Sequence, residues 1–212
     1  MKGILRAALW AMLSITTFAS QAQTESVKAA FMAIPSEVAP LISEYAKLDM
    51  IDYFESGMET PTTNVLDGKM RLTELTPDHI AAELGTAQTL DVYLLPSGAD
   101  TLAMYISTLT VPVADSYINI VNSDTVDVTA RAFKAPEFRD WLSSQGKKQR
   151  KYVESELPYV NSVCLYSPDS GVLTLKMRYP ATLSQEVISK LEPLLLPELQ
   201  YKWTGKKFTL LK

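Results

Sequence analysis

The chain has 212 residues, 47% of them hydrophobic and 21% charged, with a formal net charge of −4; that balance fits a globular fold and excludes extended disorder. An acidic chain of this kind is a poor partner for nucleic acid. With one cysteine, Cys164, and one histidine, His79, no intrachain disulfide is available, and zinc, haem and iron–sulfur sites lack the several ligands they need.

Lys2 and Arg6 form a short basic end, Ala7 to Ala19 is apolar, and Ser20 and Ala22 stand three and one positions before a cut. This pattern predicts a secretory signal peptide over residues 1–22. The apolar run is about half the length a membrane-spanning helix needs, and no later run approaches roughly 18 apolar residues. No transmembrane segment is therefore expected after cleavage. Gln23 rather than a cysteine follows the cut, so no lipid anchor is expected and the product is periplasmic or secreted. The remaining residues 23–212 suit a single mature α+β domain. Lys2 and Arg6 leave with the leader and no acid does, so −4 becomes −6.

Val27 to Ile34 predicts a short apolar helix stopped by Pro35, and Ser36 opens a second over Glu37 to Ala46. One continuous helix through Lys47 would put Asp52 and Glu55 on the stripe of Leu41, Tyr45 and Leu48, which a core would reject. A break near Lys47 with a fresh helix capped by Asp49 removes that conflict, turning Met50, Ile51, Phe54 and Met58 inward. Gly57 suits the left-handed stop.

A hairpin is expected next, with Asp67-Gly68 as the turn between Thr63–Leu66 and Lys69–Leu72. Thr76-Pro77 predicts a helix to Leu84 ended by Gly85. Strand pairs follow at Thr89–Leu95 with Thr101–Leu109 and at Ser162–Ser167 with Val172–Arg178, each joined by a Pro-to-Gly loop. Tyr117–Val121 and Thr125–Phe133 read as further strands, Leu183–Leu191 as a helix, and Leu199–Trp203 with Lys207–Leu211 as a closing hairpin. The fold class is α+β, with a largely antiparallel sheet built from hairpins and helices packed on one face. The repeated order of helix and hairpin has two readings, two related halves meeting in 134–158 or common hairpin physics.

The runs Leu48–Met58, Asn64–Gly68, Leu72–Thr76 and Leu90–Pro96 resemble a family of exported Bacteroidales proteins called domain of unknown function 3256. The resemblance implies a Gram-negative envelope or secreted location. It brings no assigned activity and no catalytic residues.

Chemistry therefore rests on the residues. No Gly-x-Ser-x-Gly elbow, phosphate loop or dinucleotide fingerprint occurs. A Cys164–His79 nucleophile pair can be written, but His79 is expected to be solvated in a first helical turn and Cys164 to be half-buried in a strand. The acids between Asp49 and Glu74 read as caps, turns and solvated faces, with a helix-end cation site at Glu59 and Asp67 as the rival. Lys147–Lys151 reads as a solvated basic loop or an anion-holding patch beside Trp141 and Tyr152. Tyr201 and Trp203 share a strand face and are expected in the core rather than stacked on a sugar. No catalytic, cofactor-binding or metal residue is assigned. The sequence favours a non-catalytic binding or assembly component of the cell envelope whose partner is a protein, glycan or anionic lipid; the rival is a glycan or peptide hydrolase using dispersed Asp and Glu.

Overall fold

Polar-apolar alternation, not helix periodicity, governs most of the chain, and the strands follow it. The computed structural model describes residues 26–98 and 100–211; the expected leader lies outside them. Residues 26–32 form α1, followed by α2 (Glu44–Glu55). A six-stranded antiparallel sheet follows in chain order: β1 (Thr62–Thr63), β2 (Lys69–Leu75), β3 (His79–Glu83), β4 (Gln88–Ser97), β5 (Asp100–Leu109) and β6 (Asp115–Val121). Short helices come next, α3 (Thr129–Ala132), a 3-10 turn at Phe138–Trp141, α4 (Ser144–Lys148) and α5 (Arg150–Glu156). A second antiparallel sheet holds β7 (Asn161–Ser167), β8 (Val172–Arg178), β9 (Glu198–Trp203) and β10 (Phe208–Leu210), with α6 (Gln185–Leu191) between β8 and β9. The α+β class and the hairpin construction are as expected.

Side chains sort the layers. Along β5, Ala103 and Tyr105 face α1 and α2, while Leu102, Met104 and Ile106 face the four-stranded sheet. On β4, Leu90 and Val92 join the first core and Tyr93 and Leu95 the second. The six-stranded sheet is therefore covered by α1 and α2 on one face and shares its other core with Leu173, Leu175, Met177 and the helices after β6. Hydrogen bonds fasten the sheets: Trp203 Nε1–H donates to Pro96 O at 2.8 Å, Ser162 N–H donates to Asp115 Oδ1 at 2.8 Å, and Cys164 N–H donates to Ser116 Oγ at 3.0 Å. The outer face of the second sheet, with Leu165, Lys176 and Lys202, is exposed.

Several expectations fail locally. The helix expected over Glu37 to Ala46 does not form, because residues 35–43 are turns and coil; α2 begins at Glu44 and runs on through Lys47, so there is no break there and Asp49 sits inside it. The stripe of Tyr45, Leu48, Asp52 and Glu55 is the solvent face, with Tyr45 82% exposed; Ala46, Lys47, Met50 and Ile51 are buried instead. His79–Glu83 is a strand, because Ile80, Ala82 and Leu84 alternate inward with His79, Ala81 and Glu83. Thr125–Phe133 contributes a single bridge, Val121 with Asp127, and then turns into α3. The first hairpin is real but its loop is longer than the two residues expected: β1 pairs only as Thr62 with Met70 and Thr63 with Lys69.

Candidate functional site

The acidic stretch 47–75 lines a groove. Ser43 caps α2, its hydroxyl accepting from Ala46 N–H at 3.1 Å. Gly57, with φ +66°, ends it. The chain then comes alongside β2 but pairs with it only as far as Met70. From Arg71 to Leu75 the outer edge of β2 has no neighbouring strand among the described residues. A β-bulge between Leu72 and Glu74 bends this edge.

Between that edge and α2 lies a cavity of about 510 Å³. Met50, Phe54, Met58, Met70 and Leu72 line its apolar side, with Glu59 and Arg71 at the rim. Phe54 and Met58, expected inside, are 37% and 48% exposed at its mouth. Arg71 Nε donates to Glu83 Oε2 at 2.8 Å, and this bond, with Glu83 and Glu59 nearby, raises the guanidinium pKa. The density of methionines in 50–70 was the sequence signal for this groove. The shortness of β1, which opens it, carries none.

Of the other acids in the stretch, Glu55 and Glu74 have side-chain partners. Glu55 pairs with Lys28 at 2.6 Å. Glu74 lies 3.4 Å from His79 Nδ1, and Asp91 Oδ1 lies 2.9 Å from Nε2. Asp67 sits at φ +61° in the β1–β2 loop, where Asn64 Oδ1 accepts from Leu66 and Gly68 N–H. Among the described residues, no three or more His, Cys, Asp or Glu converge as a metal site, and Glu59 and Asp67 do not form one.

His79 is not solvated: its side chain is 12% exposed and stacks on Tyr93. Burial lowers its pKa, but the hydrogen bonds and charges of Asp91 and Glu74 outweigh that, and the net shift is upward. Tyr93 is pushed upward by burial first and then by the surrounding carboxylates. Both imidazole nitrogens thus face carboxylates. Cys164 is buried beside Asp115 and Ser116, and burial pushes its thiol up to about 12, the opposite of an activated nucleophile. Tyr201 and Trp203 are core, packed with Phe133 and Phe208 rather than stacked on a ligand. The Lys147–Lys151 run is not a loop but belongs to α4 and α5, divided at Gln149.

A family model described as protein of unknown function (DUF3256) matches residues 19–208. Among curated proteins nothing matches the chain. A solved domain of an uncharacterized protein from Porphyromonas gingivalis W83 is similar at 21% identity, covering 87% of this chain and 96% of that one with a TM-score of 0.71. At that identity the likeness concerns the fold.

Proposed function

The chain belongs to the DUF3256 family of proteins of unknown function, and on that premise we propose that it is an exported, non-catalytic binding or assembly component of the bacterial cell envelope. In this reading the α2–β2 groove holds an extended apolar segment of a partner protein. The observation that carries it is the coincidence of two features: the edge of β2 from Arg71 to Leu75, unpaired among the described residues, and the apolar cavity directly beside it.

A free strand edge presents backbone donors and acceptors that another extended chain satisfies, which supplies affinity without sequence preference. Side-chain pockets beside the edge then supply specificity. Met50, Met58 and Met70 suit this task, because unbranched thioethers repack around different apolar anchors. The leader-like start of the sequence supports an exported location. Hydrolysis of a glycoside would need two carboxylates facing across the cleft, whereas Glu59 is the one acidic residue among the described residues that line this groove.

The test places a photo-crosslinking side chain at Met58 or Thr73 in the mature protein within native envelope. Capture of one extended segment of a defined partner is expected, and Phe54→Asp, which puts a charge at the partly exposed mouth of the groove, should abolish it while the protein stays folded. Equal capture from Lys176 on the outer face of β8 would overturn the groove. Turnover of a glycan or peptide by the purified protein would overturn the non-catalytic reading.

A further inference from the structure

Remote from the β2 edge, a cleft of about 400 Å³ opens where α3 and the following chain meet the β9–β10 hairpin. Four cationic side chains line it, Arg131, Lys134, Arg139 and Lys207, with one acid, Asp140. In a chain of net charge −4 this concentration of positive charge runs against the background.

Its acids are already engaged. Asp140 Oδ2 accepts from Glu137 N–H at 2.8 Å, and the Glu137 carboxylate accepts in return from the Asp140 backbone. Glu137 also pairs with Lys134 at 3.3 Å and Arg139 at 3.0 Å. Among the described residues neither Arg131 nor Lys207 has a carboxylate partner within ion-pair distance. They reach the cleft from different elements, Arg131 from the last turn of α3 and Lys207 from the β9–β10 turn. The floor is apolar, formed by Ala132 and Phe208 beside Tyr201, and Phe133 packs edge-on against Tyr201 and Phe208. That packing fixes the turn that carries Lys207.

We propose that this cleft binds a phosphate group, with Arg131 and Lys207 as its two uncompensated cations. A guanidinium offers a planar fork matched to phosphate oxygens, while an ammonium adds a point charge. A concave wall of low dielectric concentrates their field. The volume admits a headgroup or a phosphosugar rather than a folded partner. The site is independent of the β2 groove.

The test uses the full mature protein in low salt. Calorimetric titration with inorganic phosphate and with glucose 6-phosphate probes the free anion. Co-sedimentation with phosphatidylcholine vesicles, with and without phosphatidic acid, probes a headgroup. Binding in either arm is expected to weaken about tenfold or more in Arg131→Glu with Lys207→Glu, to fall with rising salt, and to be unchanged in Lys147→Glu with Lys148→Glu. Both pairs are exposed, and unchanged melting confirms folding. Binding in the first arm alone identifies a soluble phosphate, and binding in the second alone identifies a membrane lipid. No binding in either arm, or equal loss in the two double variants, overturns the site.

Discussion

The imidazole of His79 lies flat on the ring of Tyr93, centroids 4.2 Å apart and planes within 5°. The two residues are direct partners across β3 and β4. The stack is held from both ends by Asp91 and Glu74, while Asp78 and Tyr166 face Tyr93. Such an arrangement favours the imidazolium, whose charge both carboxylates share.

The first prediction follows from its sign. The folded-state pKa of His79 is raised above its ordinary value, so the stabilisation is complete below about pH 6.5 and is lost as pH rises through the folded value. Urea unfolding should show stability declining across that window. His79→Gln should remove that slope and cost about 1–3 kcal/mol at pH 6. An identical slope in the variant would show that another group titrates.

Lys47 gives the second. It is 6% exposed, and its ammonium donates to Met32 O at 2.9 Å and Ile34 O at 3.3 Å. These carbonyls lie at the end of α1 and just beyond it, and have no helical partner. Lys47→Met keeps the length of the side chain and removes its donors. It should destabilise by about 1–3 kcal/mol, and hydrogen exchange should show the amides of 26–34 opening first. A gain in stability would mean that desolvation of the ammonium, which lowers its pKa, outweighs the bonds.

Lys47 also marks where the sequence was hard to read. A break near it was expected because Asp52 and Glu55 share a stripe with Leu41, Tyr45 and Leu48, and nothing local shows that this stripe faces solvent while Lys47 is buried to cap another helix. The hairpins around 88–109, 161–178 and 198–210 were legible because alternation and a Gly-bearing turn act together within about twenty residues. Thr76-Pro77 misled for the same local reason: Thr76 Oγ1 donates to His79 O in a turn, and the strand that follows is decided by pairing with β4. The groove was half legible. Met50 and Phe54 share one face of α2 as expected, whereas Met58 lies beyond the end of the helix, and how far β1 accompanies β2 is a tertiary matter.

The true start of α2 yields a contrast between two caps. Ser43 accepts from Ala46 N–H, whereas Asp49 is exposed in the second turn with its backbone already helical. Ser43→Ala should cost about 1 kcal/mol. Asp49→Ala should stay within about 0.5 kcal/mol. Denaturant midpoints at equal m-values compare them directly, and the reverse order would restore a break at Lys47.

The last prediction concerns a close approach. A Cβ placed on Gly146 would stand 1.9 Å from Leu194 O and 2.9 Å from its carbonyl carbon. That carbonyl is fixed, since it accepts from Ser143 N–H at 2.9 Å beside the Leu142–Leu195 bridge. Neither side can yield without breaking the junction of α4 with the chain after α6. Gly146→Ala should therefore destabilise by about 3 kcal/mol, even though alanine is the better helix former. Gly57→Ala is the control: its Cβ meets nothing within 4 Å but its φ is +66°, so its cost is the left-handed conformation alone, about 1–2 kcal/mol. If thermal unfolding ranks Gly57→Ala as the more damaging, the α4 junction is not as tight as these distances require.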